Sequence, residues 1–245
     1  MAKQNHNTFQ KRKPDPQAKP KYRPLTKRNI DKVENTIHKH PKYGDKGNGK
    51  LLEVYFNEKP KNDDYTTVLH KVILIDFTNS TQLQQYKNKF TFYDLAKGIW
   101  SIPNLDERIE KGDPSVVDAI AGVTKINLFS FASKFCFYHN RRDYSIFDSV
   151  VTDTLPQYLD VTKSYIKECK NDKKNKDKKK DEKKSYKHYR DLIDKLIKAY
   201  NLESENNIRQ KIDHFLWFPN RKRNKKKNNK RRNKQSPDSS TNNND

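Results

Sequence analysis

The sequence predicts a mostly α-helical protein, with a folded domain between two basic tails. Apolar side chains recur at three- and four-residue intervals in most segments of residues 30–219, which is helical spacing. Hydrophobic residues make up only 31% of the 245-residue chain and charged residues 34%, so part of the chain should lack a core. We therefore predict one helical domain at residues 30–219 and disordered tails at residues 1–29 and 220–245.

The formal net charge of +22 belongs mainly to segments outside the predicted helices. Residues 1–30 carry +8, residues 221–245 carry +8, and a lysine-rich insert at residues 170–184 carries +5. Such segments bind polyanions through the release of counterions from phosphates. The charge pattern predicts a polyanionic partner, DNA or RNA, without selecting between them. Solubility, or a compositional bias of the source genome, would explain the same tails without a binding role.

Other features of the composition predict an intracellular protein without a metal, a cofactor or a membrane span. Cys136 and Cys169 have neither the number nor the spacing of a disulfide framework or a metal site, and Cys136 is expected in the core. The seven histidines are scattered without acidic or cysteine partners. The chain has no N-terminal apolar segment and no run of about 18 apolar residues, so neither a signal peptide nor a spanning helix is predicted.

The first predicted helix begins near residue 30. Ile30, Val33 and Ile37 fall on one face of it, which is the pattern of an amphipathic helix. Residues 44–49 contain three glycines and are predicted to form a turn. Residues 51–56 fit either a short strand or a helix, and their periodicity does not decide between the two.

The segment at residues 66–76 has two interpretations. Its β-branched residues are typical of a buried strand. A helix would instead place four side chains on one face: Leu69, Val72, Ile73 and Asp76. We predict the helix, because the family resemblance described below implies one.

Three shorter helices should follow before residue 112. Ser80 or Thr81 is a candidate cap for a helix at residues 82–88, because both residues carry a hydroxyl that accepts a backbone hydrogen bond. Residues 91–99 and 106–109 have the spacing of two further helices.

The centre of the chain has a distinctive order of elements. Asp113 and Pro114 are predicted to start a helix as N-cap and first residue. A glycine-containing turn at residues 121–123 leads into a strongly apolar helix at about residues 126–139. Asp148 then stands just before another helical pattern. The order is therefore helix, turn, helix, loop, and a carboxylate at a helix start.

The C-terminal part of the predicted domain is also helical. The helix after Asp148 is expected to bend at Pro156. Residues 186–200 have an apolar stripe at helical spacing, and the final helix at residues 207–217 ends before a proline. The lysine-rich insert at residues 170–184 lies between these elements, so it interrupts the domain and does not mark its end.

Five short motifs of the sequence resemble those of a known protein family. FASK at residues 131–134, YHN at residues 138–140 and FDS at residues 147–149 form its core. Gly112-Asp113 lies before this core, and IDHFLW at residues 212–217 lies after it. Together they resemble the bacterial 8-oxoguanine DNA glycosylase (OGG)-like group of the helix-hairpin-helix (HhH-GPD) superfamily.

The resemblance implies an all-helical fold with a pocket for a damaged base. The implied function is excision of an oxidised or otherwise modified base from duplex DNA, with AP lyase cleavage of the strand as a further activity. The base must leave the duplex before it can be reached. Breaking the glycosidic bond builds positive charge on the sugar, which a carboxylate stabilises. A lysine amine can alternatively attack the anomeric carbon and form a Schiff base.

Three residues are candidates for this chemistry. Asp148 is the candidate carboxylate, although Asp at that place is also a good N-cap, and the two roles are compatible. Lys134, in the FASK motif, and Lys125, close to the turn, are the candidate nucleophiles. The alternative for Lys134 is a solvated or snorkelling lysine on the polar side of the helix. For Lys125 it is a phosphate contact or an ordinary surface charge.

The turn between the central helices is a candidate DNA-binding element. In helix-hairpin-helix proteins the backbone N–H groups of this turn hold a phosphate, which would assign that role to Gly122, Val123 and Thr124. Gly122 is alternatively a simple C-cap, and Thr124 replaces the second glycine of the family pattern.

A non-catalytic DNA- or RNA-binding protein is the alternative function. Such a protein would retain the fold and bind mainly through its basic tails. The position of the lysines favours this alternative, because Lys125 falls one residue before the place where the family has its lysine and Ile126 occupies that place.

Overall fold

The computed structural model describes residues 23–45, 47–79, 81–169 and 185–221. Within these ranges the regular secondary structure is entirely helical, which confirms the mostly α-helical prediction. Most of the two predicted tails and the whole lysine-rich insert lie outside the described residues. The first helix starts at Lys27 and is preceded by the buried Leu25, so the helical domain begins slightly before the predicted boundary.

Five α-helices lie between residues 23 and 110, within the part of the chain that the structure describes. Their bounds are α1 (Lys27–His38), α2 (Asn48–Glu58), α3 (Tyr65–Asn79), α4 (Phe92–Trp100) and α5 (Leu105–Glu110). α3 packs against both α2 and α4. The segments at residues 51–56 and 66–76 are therefore helices and not strands.

The buried face of α3 differs from the predicted one. The buried residues of α3 are Thr67, Val68, Lys71, Val72 and Ile75. Of the four side chains predicted on one face, only Val72 is buried, and Ile73 is 40% exposed. α3 is apolar around most of its circumference, so the sequence pattern does not define which side meets the core.

The helix predicted at residues 82–88 is reduced to a short 3₁₀ helix, Leu83–Tyr86. Thr81 does not cap it, because its hydroxyl donates a hydrogen bond to the Asp76 carboxylate at 2.5 Å. Ser80, the other candidate cap, lies outside the described residues.

Six α-helices lie in the described residues of the second half of the chain. Their bounds are α6 (Ser115–Ala121), α7 (Phe129–His139), α8 (Ser149–Thr154), α9 (Lys163–Glu168), α10 (Tyr186–Ala199) and α11 (Ile208–Trp217). A 3₁₀ turn at Leu155–Gln157 follows α8, at the bend predicted around Pro156. α11 packs against α1 and α8 and thereby joins the two halves.

The turn before α6 is fixed by a carboxylate. Asp113 Oδ1 accepts the N–H of Ser115 at 2.9 Å, and its Oδ2 accepts a hydrogen bond from Arg108 Nε at 2.9 Å. Pro114 occupies the position before the helix and not its predicted first position. Gly112 has a φ of 69°, in the left-handed region that glycine tolerates without strain.

α6 and α7 pair as a helical hairpin in the middle of the chain. Gly122 is the C-cap of α6, and the N–H of Leu128 donates to the Ala121 carbonyl at 3.0 Å across the connecting loop. α7 begins at Phe129, three residues later than predicted, so the loop is longer than a tight turn.

α7 is buried on nearly all sides. Its buried residues are Phe129, Phe131, Ala132, Ser133, Lys134, Phe135, Cys136 and Phe137. Cys136 is a core residue, as predicted. A helix that is apolar all round belongs in the interior of a domain, and any polar group on it needs a hydrogen-bond partner. Ser133 and Lys134 are therefore the informative residues of α7.

Candidate active site

A cleft of about 880 Å³ lies beside α7, lined from both ends of the described chain. Residues of α1, α2, α7 and α11 line it, together with the segment that leads into α8. Two of the predicted catalytic residues, Lys134 and Asp148, line this cleft together, and Asp213 of α11 joins them. The fold thus brings the amine of Lys134 and the carboxylates of Asp148 and Asp213 to a cavity that other lysine, aspartate and glutamate side chains also line.

The amine of Lys134 is held by Ser130, on the same face of α7. The side chain is only 6% exposed, so Lys134 is not a solvated lysine. Its Nζ donates to Ser130 Oγ at 2.8 Å and lies 3.5 Å from the Ser130 carbonyl oxygen. Ser130 is four residues earlier, which places it directly below Lys134 on the same helix face. The amine is therefore shielded from bulk water at the wall of the cleft.

Asp148 stands at the N-cap of α8, as the sequence predicts. Its Oδ1 accepts the N–H of Val150 at 2.7 Å, and the residue lines the cleft at the same time. Because a cap uses only one or two lone pairs of a carboxylate, the same group remains able to face a reacting sugar. The two roles considered for Asp148 are compatible in this geometry.

The chain just before Asp148 is held from two sides. On the α7 side, the N–H of Phe147 donates to Ser133 Oγ at 2.9 Å. On the α10 side, the Tyr186 hydroxyl donates to the Ser145 carbonyl at 2.7 Å and accepts the N–H of Ser145 at 2.7 Å. These hydrogen bonds are buried, so they fix the entry into α8 and hold the carboxylate in a defined place.

Asp213 is the most perturbed carboxylate in the cleft. Its Oδ1 is buried and accepts no hydrogen bond from any described residue. Burial raises the pKa of Asp213 to about 7, and the neighbouring Asp148 carboxylate raises it further, whereas His214 and Lys134 oppose the shift. Asp213 can therefore take up or release a proton near neutral pH, within the electrostatic reach of Lys134.

The raised pKa of Asp213 predicts a pH-dependent cost to stability. An unfolded Asp titrates near pH 4. Between pH 4 and pH 7 the unfolded chain therefore releases a proton that the folded protein still holds. Because of this difference, the stability of the wild-type protein falls as the pH rises. We expect Asp213→Asn to be more stable than wild type at pH 8 by roughly 2–4 kcal/mol, an advantage that shrinks as the pH falls to 4. Denaturant unfolding at both pH values measures it.

The baseline for this experiment is Asp160→Asn, which changes an exposed carboxylate outside the cleft. Comparing each variant with wild type at two pH values removes any pH-independent effect of the amide. An Asp213→Asn advantage that is the same at pH 4 and pH 8 would show that this carboxylate does not titrate near neutrality.

His214, the neighbour of Asp213, connects α11 to α1. Its Nδ1 lies 2.9 Å from Glu34 Oε1, and both side chains are mostly buried. Burial works against the charged imidazolium, but the carboxylates of Glu34 and Asp213 outweigh it and raise the pKa of His214. The Glu34–His214 pair therefore stabilises the wall of the cleft that carries Asp213.

The second candidate nucleophile lies elsewhere. Lys125 is exposed in the loop between α6 and α7, and it does not line the cleft. The structure thus groups Lys134 with Asp148 and leaves Lys125 apart from both. An exposed loop position fits the alternative roles predicted for Lys125, a phosphate contact or a surface charge.

The loop after α6 differs from a free phosphate-binding turn. The N–H of Gly122 donates to the carbonyls of Asp118 and Ala119 at 3.1 Å, and the N–H of Val123 donates to Ile120 at 3.3 Å. Gly122 therefore acts as the C-cap that the sequence left as an alternative. The third predicted residue, Thr124, uses its hydroxyl within the loop, where it donates to the carbonyl of Ile126 at 2.9 Å.

Asp213 was missed as a candidate catalytic residue. It lies in the IDHFLW motif, where it follows the buried Ile212 and precedes the buried Phe215. An acidic side chain inside an apolar helical pattern is a signal of a buried carboxylate. Its proximity to Lys134, about eighty residues earlier, depends on the packing of α11 and is not visible in the sequence.

Two features of other functional classes are absent from the described residues. In residues 23–45, 47–79, 81–169 and 185–221, no group of three or more His, Cys, Asp or Glu side chains is placed to hold a metal ion. In the same ranges, no helix combines the length and the apolar character needed to cross a membrane.

The chain is similar to known sequences in its first part. A family model named HI_0787_N and described as an N-terminal domain matches residues 27–143. The match contains α1 to α7, with Lys134 and Lys125, and ends before Asp148. α11 and its Asp213 also lie beyond it.

One curated relative is similar over a shorter stretch. It is an uncharacterized protein of Haemophilus influenzae (strain Rd), and it is 35% identical over 80 residues. The alignment covers 31% of this chain and 40% of that protein, so it spans less than half of the relative's length. No solved structure matches the chain.

Proposed function

We propose that this protein is a DNA glycosylase that excises an oxidised or otherwise modified base. The observation that carries the proposal is the convergence of Lys134, Asp148 and Asp213 in one cleft. An amine beside two carboxylates is the set of groups needed to attack a sugar carbon, to stabilise positive charge on the sugar and to move a proton. The helical hairpin of α6 and α7 before a helix capped by Asp148 supports an HhH-GPD-like fold.

Asp148 is proposed to stabilise the sugar cation that develops as the glycosidic bond breaks. A carboxylate fixed beside the anomeric carbon offers its charge without reorganisation, and shielding from water increases its effect. The buried hydrogen bonds at Ser145 and Phe147 support this role, because they hold the chain that leads into Asp148.

Lys134 is proposed to be the nucleophile in a combined glycosylase and lyase reaction. Its neutral amine would attack the anomeric carbon, the base would leave with the bonding electron pair, and the sugar ring would open to a Schiff base. The ammonium must first lose a proton. Asp213 is a suitable acceptor for it, because its pKa of about 7 lets it take up a proton near neutral pH.

The basic tails are proposed to raise the non-specific affinity for DNA. Removing residues 1–22 and 222–245 deletes fifteen lysine and arginine residues without touching a described element. We expect weaker binding of undamaged duplex DNA and a smaller slope of log K against log salt concentration, since each phosphate contact contributes about −0.9 to that slope. Fluorescence anisotropy between about 50 and 200 mM salt measures both quantities, and an unchanged slope would contradict the role of the tails.

A non-catalytic DNA- or RNA-binding protein is the second candidate function. One observation favours it: Ile126 occupies the position of the family's lysine and is partly buried in the loop, so the family's own nucleophile is absent. Release of a free base from damaged DNA separates the two candidates, because only the glycosylase produces one.

A further inference from the structure

A second part of the cleft wall is aromatic and basic, unlike the part that carries Lys134 and Asp213. Four rings form an aromatic wall there: His40, Tyr43, Trp217 and Phe218. The ring centroids of Tyr43 and Trp217 are 5.2 Å apart and nearly perpendicular, and those of His40 and Tyr43 are 4.6 Å apart. His40, Tyr43 and Trp217 line the cleft, so the aromatic wall is partly open to a ligand.

Two positively charged side chains lie against rings of the aromatic wall. The guanidinium of Arg221 lies 3.6 Å from the ring centroid of Phe218 and 5.2 Å from that of Tyr43. Lys42 Nζ lies 5.6 Å from the centroid of the Tyr43 ring. Within the described part of the chain, neither cation forms a salt bridge with a carboxylate. Aromatic faces with adjacent unneutralised cations are the combination that binds a base together with its phosphate.

The aromatic wall lies close to the proposed catalytic groups. Trp217 follows Asp213 by four residues on α11, so the two side chains share a helix face and are about 6 Å apart along its axis. The cleft volume of about 880 Å³ is near the upper end of the ~300–1,000 Å³ that is usual for small-molecule sites. The cavity therefore has room for more than a single base.

We propose that the cleft binds two consecutive unpaired nucleotides of a DNA strand. One nucleotide lies at Lys134 and Asp148, and the next one stacks on Tyr43 and Trp217. Lys42 and Arg221 neutralise the phosphate of the stacked nucleotide, and the planar guanidinium of Arg221 offers a further stacking surface. The placement of the first nucleotide rests on the proposed glycosylase function, whereas the stacking site does not. The preferred substrate is then single-stranded or locally melted DNA.

The fluorescence of Trp217 reports this site directly. The chain has two tryptophans, so Trp100→Phe leaves Trp217 as the sole one. We expect single-stranded oligothymidine to quench Trp217 in this variant, and a blunt undamaged duplex of the same length to leave it unchanged. The duplex is the control for binding by the basic tails, because counterion release at phosphates does not require an unpaired base. Quenching by the duplex alone, or by neither ligand, would overturn the proposal.

Replacement of the partner ring tests the contribution of stacking. Tyr43→Ala should weaken single-strand binding by about 5- to 150-fold, the loss expected for one stacked base. Tyr93→Ala is the matched control, because Tyr93 is an aromatic residue that is 64% exposed and outside the cleft. Equal affinities of the two variants would contradict stacking on Tyr43. Tighter binding of oligouridine than of oligothymidine would overturn the choice of DNA as the ligand.

Two further results separate this inference from the proposed function. A strand with abasic-site analogues at every position should not quench Trp217, since stacking needs a base. If oligothymidine quenches Trp217 in a protein that releases no base from any DNA, the stacking site is supported and the glycosylase function is rejected. Base release without any response of Trp217 would retain the glycosylase and reject the stacking site.

Discussion

Asp148→Asn should lower the rate of base excision by about 10²–10³-fold, the usual effect of removing one preorganised charge from a transition state. Asparagine has nearly the same shape and is an equally good N-cap, so it can still accept the N–H of Val150. The substitution therefore removes the negative charge while α8 keeps its start. Single-turnover excision kinetics on a duplex with the released base as readout measure the effect, and thermal unfolding verifies the fold.

The matched control for Asp148→Asn is Asp64→Asn. Asp64 Oδ1 accepts the N–H of Thr67 at 2.8 Å in the first turn of α3, so it is also an aspartate at a helix start, but it lies outside the cleft. We expect Asp64→Asn to excise bases at the wild-type rate. If both variants react at the same rate, the carboxylate of Asp148 has no role in catalysis.

Lys134→Gln should abolish the covalent product that borohydride forms with a glycosylase-lyase and its DNA. Borohydride reduces a Schiff base to a stable amine, so the trapped complex requires the nucleophilic Nζ. Glutamine can retain the hydrogen bond to Ser130 and fills most of the same space, so the helix should keep its packing. Denaturing gel electrophoresis of the trapped DNA–protein complex measures the loss.

Lys125→Gln provides the comparison, because it removes a lysine that is exposed and lies outside the cleft. We expect this variant to trap DNA as wild type does, with at most a weaker affinity from the lost charge. Loss of trapping in Lys125→Gln but not in Lys134→Gln would reverse the assignment. Base excision without trapping in wild type would assign a monofunctional glycosylase, in which water attacks the sugar and Lys134 only binds.

Most helices could be predicted from local patterns. α1 has its three apolar residues at helical spacing behind the cap Thr26, which accepts the N–H of Asn29. α10 buries the stripe that its sequence shows, from Tyr189 to Ile197. These predictions succeed because capping and amphipathic periodicity are properties of short segments.

The orientation of α3 could not be predicted, because it depends on contacts outside the helix. Lys71 is fully buried, although lysine is rarely found in a core. Its Nζ donates to the Lys61 carbonyl at 2.7 Å and to Asn62 Oδ1 at 3.0 Å, both in the loop before α3. The path of that loop supplies the hydrogen-bond acceptors that a buried lysine needs.

The candidate site was predictable in its parts and not in its assembly. Lys134 and Asp148 follow from the FASK and FDS motifs, and the structure places both in the cleft. The choice between Lys134 and Lys125 required the packing of α7, which buries one lysine and leaves the other exposed. Asp213 enters the site because α11 packs against α1 and α8, a contact between distant parts of the chain.

If the cleft releases a modified base from DNA, that base can be detected in solution. Genomic DNA damaged by oxidation or alkylation is incubated with the full-length protein, and the small-molecule fraction is analysed by mass spectrometry. We expect one or a few free modified bases with wild type, and their loss with Asp148→Asn. DNA that is bound by the wild-type protein but yields no free base from either kind of damage would contradict it.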